Sequence, residues 1–258
     1  MKNKFQFLSY AGYYITTSQD YRIMVDPYLD ENPRAPYKTD DIERVDLVIV
    51  THGAWDHVGD SAKIAIKFDS WIICPDDVKF LMIDQGVDPD KIIATAWGIT
   101  IECDGIQVKP VENHHRSTIV LSDGRITSST PLAYILYLED KTRVYIAGDT
   151  ALFSDMKLQG ELYSPDIGLI NVCSDAIENE IIPGRPRVVM GEMSPYEAVL
   201  CTQWLRLKVV LPCHYQTLEN AQLKEFIEIM KGMERPENLR TKVVVLDSGA
   251  TFEYSVED

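Results

Sequence analysis

Thr51-His52-Gly53-Ala54-Trp55-Asp56-His57-Val58-Gly59-Asp60 follows directly on the apolar run Asp46-Leu47-Val48-Ile49-Val50, and it sets two imidazoles and a carboxylate within six residues. A short β-branched run reads as a buried strand, Gly53 breaks it, and the polar segment beyond opens a helix. The histidines and the aspartate therefore stand on a loop at a strand end, where a divalent ion accepts all three as ligands. The competing reading is a polar surface turn with incidental histidines. What the rest of the chain brings to this stretch decides between them.

Upstream, Lys4 to Tyr10, Tyr13 to Thr17 and Tyr21 to Val25 alternate β-type runs with turns, an antiparallel meander that ends in Asp26-Pro27. The prolines of Asn32-Pro33-Arg34-Ala35-Pro36 make the next stretch a surface loop. Downstream, Ser61 to Phe68 predicts a helix, Trp71 to Cys74 a strand, and Pro75-Asp76-Asp77 the start of a helix toward Met82. Lys91 to Ile93, Ile99 to Ile101 and Ile106 to Val111 are strands, the last leading into Glu112-Asn113-His114-His115.

Pro131 to Leu138 and Arg143 to Ala147 form a second meander. It ends in Gly148-Asp149-Thr150, where the glycine lets the backbone approach an ion or ligand, and a helix follows from Ala151 to Leu158. After the strand Ile167 to Val172, residues 173 to 193 read as a long functional loop. Arg185 and Arg187 in it are solvated or meet a small anionic substrate. Ser194-Pro195-Tyr196-Glu197 carries N-cap, N1 proline and N3 glutamate, the start of a helix that runs to about Leu205. Lys208 to Pro212 is a strand with Cys213-His214-Tyr215 at its end. A helix over Asn220 to Gly232 and strands at Val243 to Leu246 and Thr251 to Tyr254 close the chain. Meander, strands and helices thus occur twice with no linker. The expectation is one α/β domain over residues 1–258, two β-rich halves face to face with helices outside.

Composition narrows the partners. A formal net charge of -15 repels polyanions, which argues against nucleic acid and for a small-molecule substrate. No stretch is apolar enough to span a membrane, and Phe5-Gln6-Phe7-Leu8 is too short for the core of a secretory signal. Cys74, Cys103, Cys173, Cys201 and Cys213 are odd in number and show no C-x-x-C spacing, as expected of reduced thiols in the cytoplasm.

All five histidines, His52, His57, His114, His115 and His214, stand just past an apolar β-like run. Scattered structural histidines would not be placed that way, so the metal centre is the stronger reading. The sequence here resembles the metallo-β-lactamase superfamily, whose signature is H-x-H-x-D-H followed downstream by His, Asp and His. More narrowly, it looks like the metal-dependent hydrolases related to ascorbate-6-phosphate lactonase. The resemblance runs from Val25-Asp26-Pro27-Tyr28-Leu29 with Asn32-Pro33 through the Thr51 to Asp60 stretch. It continues through His115 with Ser117, Tyr145 to Thr150 with Phe153, Met190-Gly191 before the Glu197-Ala198 helix, and Pro212-Cys213-His214-Tyr215.

The resemblance implies a four-layer αβ/βα sandwich and a divided ligand set. His52 and His115 belong to a first metal position, Asp56, His57 and His214 to a second, and Asp149 bridges them. His115 is preferred to His114 because Arg116-Ser117 matches the family spacing. Ala54 departs from the pattern, since it stands where the signature has its second histidine and cannot ligate. The expectation is one tightly held ion at the second position, unless His114, a water or a group from the 173 to 193 loop completes the first. Zinc is the default, and manganese or iron accepts the same donors.

The implied function is a hydrolase whose metal-bound hydroxide attacks a small ester, lactone or cyclic amide, with Asp56 and Asp149 as catalytic residues. Asp56 orients the ligands and accepts a proton, and Asp149 holds metal and nucleophile together. The alternatives are a phosphodiesterase on small or cyclic nucleotides and, given Ala54, a non-catalytic metal or ligand sensor. Trp55 is a pocket wall or core packing. By analogy with relatives that self-associate, a homo-oligomer is expected.

Overall fold

The apolar runs of the first third become strands because their alternate residues find apolar partners on both faces. In the computed structural model, which describes residues 2–173, 191–233 and 240–256, the chain begins with β1 (Asn3–Phe7), β2 (Tyr13–Thr16), β3 (Arg22–Val25) and β4 (Leu47–Ile49). The short helix α1 (Trp55–Val58), α2 (Ser61–Phe68), β5 (Trp71–Cys74), α3 (Asp76–Asp84) and β6 (Ile92–Ala94) follow. Next come β7 (Ile101–Cys103), β8 (Ile106–Val111), β9 (Ser117–Val120), β10 (Ile126–Ser129), β11 (Ala133–Tyr137) and β12 (Arg143–Ile146). The chain ends with α4 (Met156–Tyr163), β13 (Ile167–Asn171), α5 (Pro195–Trp204), β14 (Val209–Cys213), α6 (Ala221–Gly232), β15 (Lys242–Val243) and β16 (Thr251–Tyr254).

One seven-stranded sheet has the order β16-β1-β2-β3-β4-β5-β6, a second has β15-β14-β13-β12-β11-β8-β7, and β9 and β10 form a separate ribbon. Each large sheet is antiparallel where the meander runs and turns parallel from β3 and from β12 onward. Parallel neighbours need long crossovers, and helices from α2 to α6 supply all of them except that from β3 to β4. In consequence β3, β4, β12 and β14 all deliver their carboxyl ends to one edge of the molecule, the edge where open α/β sheets bind ligands.

Alternation along the strands builds two cores. Ile23, Val25, Leu47, Ile49 and Ile73 lie in a cluster shared with Ile135, Leu136, Ile146 and Leu169 of the second sheet. Their neighbours Met24, Val48, Val50, Ile72 and Cys74 pack instead with Ile64, Ala65, Val78 and Met82 of α2 and α3. On the far side, α5 contacts β13 and is flanked by α4 and α6. The result is the expected four-layer αβ/βα sandwich. Buried tyrosines tie the sheets together at the ligand edge: Tyr134 donates to the Val50 carbonyl (2.9 Å) and Tyr13 to the Pro212 carbonyl (3.3 Å).

Several elements differ from their sequence readings. Asp56 and His57, expected on a loop, lie in the short helix α1, and the strand expected over Ile99 to Ile101 runs instead over Ile101–Cys103. The helix after Asp149 begins at Met156 rather than Ala151, because the Ala151 N–H is taken by the His114 carbonyl (3.0 Å) and Phe153 stacks on the His114 ring (4.2 Å). The β9–β10 ribbon is missed, since its serines and threonines lack a strong apolar alternation. The Val243 to Leu246 run pairs as a strand only at Lys242–Val243. Residues 174–190 of the expected loop, with Arg185 and Arg187, lie outside the described residues. Among the described residues no helix is long and apolar enough to cross a membrane.

Leu136 is fully buried and two residues from Tyr134, so it points into the core between the sheets. Leu136→Ala should destabilise the protein by about 2–5 kcal/mol in urea unfolding, and a loss below about 1 kcal/mol would place this side chain outside a packed core.

Candidate metal centre

The ligand edge carries Asp26 just after β3, His52 after β4, His115 after β8, Asp149 after β12 and His214 after β14. His214 sits at φ 68, a left-handed conformation that costs a non-glycine residue free energy and recurs at functional sites. The Tyr10 carbonyl holds it there by accepting the His214 N–H at 2.7 Å. Gly148, at φ 59, has a different purpose from the one its sequence suggests. A Cβ at residue 148 would lie 2.8 Å from the Thr51 Cβ, so the glycine makes room for Thr51 rather than for a ligand.

Four donors close around one point. Asp149 Oδ2 lies 3.2 Å from His57 Nε2 and 3.3 Å from His214 Nε2. Asp56 Oδ2 lies 3.5 Å from His214 Nε2 and 3.9 Å from His57 Nε2. Donors on one tetrahedral ion, each roughly 2.0–2.2 Å from it, stand roughly 3.3–3.6 Å apart, so this spacing suits a shared cation. The Nε2 atoms of His52, His57 and His214 and Asp149 Oδ1 are buried without a hydrogen-bond partner. Other buried polar atoms also lack a partner, but these are imidazole and carboxylate atoms gathered around Asp149, a donor set that suits a cation.

The other ring nitrogens explain why Nε2 is the donor. Asp26 Oδ2 accepts from His57 Nδ1 at 2.8 Å, and the Cys173 carbonyl accepts from His214 Nδ1 at 2.9 Å. Asp26 also accepts from the Thr51 N–H and the Thr51 hydroxyl, each at 2.8 Å. That hydroxyl is then left to accept from His52 Nδ1 at 3.1 Å. With each Nδ1 occupied as a donor, each Nε2 keeps its lone pair for a metal.

Charge at the site follows from the same neighbours. Burial opposes ionisation of Asp149, but the His214 and His57 imidazoles outweigh it and hold the carboxyl well below the usual carboxylate range. Burial also opposes charge on His57, yet Asp149, Asp26 and Asp56 raise its pKa well above the usual imidazole value. Burial and the nearby His57 push His52 well below that value. The carboxylates thus draw positive charge into the centre, and a divalent ion supplies it.

His115, not His114, faces this centre. The His115 ring is 4.9 Å from that of His52, whereas His114 pairs outward with Glu112 (2.8 Å) and stacks on Phe153. Trp55 is 59% exposed and meets Tyr28 (5.0 Å) and Tyr10 (6.2 Å) edge to face, so it belongs to the rim and not to the core. Two site residues have no assigned role in the sequence reading. Asp26 appears there only in the stretch before Pro27, although a carboxylate at a strand end was a usable signal. Glu192 falls in the 173 to 193 loop named as a source of an extra donor, and its carboxylate lies within 4.8 Å of the donor atoms of His115 and Asp149.

If Asp26 sets the His57 ring, Asp26→Asn should weaken metal binding by about 10–100-fold in competition with a chromophoric chelator, the usual effect of losing an outer partner of a ligating histidine. Unchanged affinity would show that Asp26 does not orient the ligand.

A family model, the beta-lactamase superfamily domain, matches residues 21–215, a span that contains every donor named above. A UPF0173 metal-dependent hydrolase of Pyrococcus abyssi is 32% identical over 254 residues, covering 97% of this chain and 99% of that protein. Another, from Methanobrevibacter smithii, is 28% identical and covers 98% of each chain. Among solved structures, the metallo hydrolase Igni18 from Ignicoccus hospitalis superposes with a TM-score of 0.75 at 24% identity, covering 99% of both chains. An isothiocyanate hydrolase from Delia radicum gut bacteria superposes with a TM-score of 0.70 at 19% identity over 98% of this chain and 99% of that one. Sheet order, family match and relatives agree: the chain belongs to the beta-lactamase superfamily, among its UPF0173 metal-dependent hydrolases.

Proposed function

We propose that this chain hydrolyses a small ester, lactone or cyclic amide, using a divalent ion held by Asp56, His57, Asp149 and His214. The observation that carries the proposal is the approach of the Asp56 and Asp149 carboxylates to His57 Nε2 and His214 Nε2 at 3.2–3.9 Å, with both Nε2 atoms left unpartnered. When bound, such an ion acts as a Lewis acid that acidifies water and polarises a carbonyl oxygen. Zinc suits the imidazole and carboxylate donors, and manganese or iron accepts them as well.

The chain's own groups do the rest. Asp26 and the Cys173 carbonyl fix the His57 and His214 rings, so the reacting centre is organised before substrate arrives. Asp56 is buried, and its carboxylate orients the ligand set and takes the proton of the attacking water. Asp149 stands at the middle with Oδ1 unpartnered, directed to hold the nucleophile. The exposed Trp55 and its partner Tyr28 offer an apolar edge to a small substrate. The net charge of -15 disfavours nucleic acid as a substrate, and five cysteines with no disulfide between them fit the cytoplasm.

Chelation should abolish turnover of a lactone and aryl-ester panel, and zinc or manganese should restore it. Asp149→Ala and His57→Ala should each lower kcat by more than the roughly 10–100-fold seen when only an outer partner is lost. Full turnover in either folded variant would refute the assignment. Hydrolysis confined to bis-p-nitrophenyl phosphate would move the bond class to phosphodiesters, and metabolite binding by the metal-loaded protein without any turnover would make it a sensor.

A further inference from the structure

Ala54 caps the start of α1 and offers no donor, so the position built on His52, His115 and Asp149 is one ligand short of its neighbour. His52 Nε2 is buried and unpartnered 4.0 Å from Asp149 Oδ2, and its ring lies 4.9 Å from that of His115. Glu192 approaches the same place from another element. It is 8% exposed, and one of its carboxylate oxygens lies within 4.8 Å of donor atoms of both His115 and Asp149.

The sequence after Glu192 keeps it there. Met193 is fully buried, and Ser194 starts α5 with a capping box: its N–H donates to the Glu197 carboxylate at 2.9 Å and its hydroxyl accepts from the Glu197 N–H at 3.3 Å. Glu192 is therefore fixed two residues ahead of a well-made helix start. A divalent cation accepts carboxylate and imidazole donors together, so Asp149, Glu192 and His115 can share one, with the unpartnered His52 nitrogen beside them.

We infer that Glu192 takes the place of the imidazole missing at residue 54, so that His52, His115, Asp149 and Glu192 hold a second divalent cation. This rests on the proposed first position, with Asp149 shared between the two. Two ions then replace the single ion expected from Ala54 alone. Each position has two imidazoles and two carboxylates. The second is thus harder than a three-imidazole set and favours manganese or iron over zinc more strongly.

Metal-stripped protein reloaded with manganese, desalted and measured by plasma mass spectrometry gives the test. The wild type should hold two equivalents per chain and show the electron paramagnetic resonance signal of a coupled manganese pair. Glu192→Ala and the near-isosteric Glu192→Gln should hold one equivalent and show an uncoupled ion, with circular dichroism unchanged. Adding Ala54→His to Glu192→Ala should restore the second equivalent, and a double variant that stays at one counts against exchange of donors between the two positions. One equivalent in the wild type, or two in both Glu192 variants, overturns the inference and leaves the proposed hydrolase intact. No bound metal at all overturns that reading instead.

Discussion

The buried carboxylate of Asp26 is the interaction on which the site depends. Lying one residue past β3, it accepts hydrogen bonds from the Thr51 backbone, the Thr51 hydroxyl and His57 Nδ1. A single carboxylate thereby joins the end of β3 to the loop after β4 and sets the ring that reaches Asp149. Through Thr51 it also bears on His52. The close fit of Gly148 against Thr51 extends the same constraint to the second sheet, because any side chain at 148 would push Thr51 away from Asp26. Fold and ligand geometry meet in this small set of residues.

Much of this was legible in the sequence because the chemistry-bearing residues sit immediately after apolar runs. His52, His115, Asp149 and His214 each follow a recognisable strand, His57 lies in α1 just beyond β4, and strands that turn parallel send their carboxyl ends to one edge. In the structure Met24 and Val48 pack in one core and Ile23 and Leu47 in the other, as continuous apolar runs require. What stayed hidden depends on contacts between distant segments. Nothing local to Asp26 marks it as the partner of His57, and the β9–β10 ribbon is held by its surroundings more than by its pattern. Ser117 of that ribbon accepts the Gly53 N–H at 2.8 Å and donates to the Asp77 carboxylate, contacts between separate parts of the chain.

Ala54 and Glu192 form a further case. Read alone, Ala54 is a lost ligand and points to a reduced metal site. Glu192 lies far along the chain, where a lone glutamate before a helix looks like one of many acidic residues. Only the packing of α5 beside β13 brings it toward His115 and Asp149. A donor lost from one element and gained on another leaves no trace in motif spacing, so the departure from the signature says less about metal number than the three-dimensional arrangement does.

The most direct test of the central claim, that this strand edge is a metal centre, is a crystal structure of the metal-loaded protein with diffraction data on either side of the metal absorption edge. An anomalous peak about 2.0–2.2 Å from His57 Nε2, His214 Nε2 and the carboxylates of Asp56 and Asp149 is the predicted result. Density showing those side chains bonded only to one another, with the metal elsewhere or absent after loading, would contradict it.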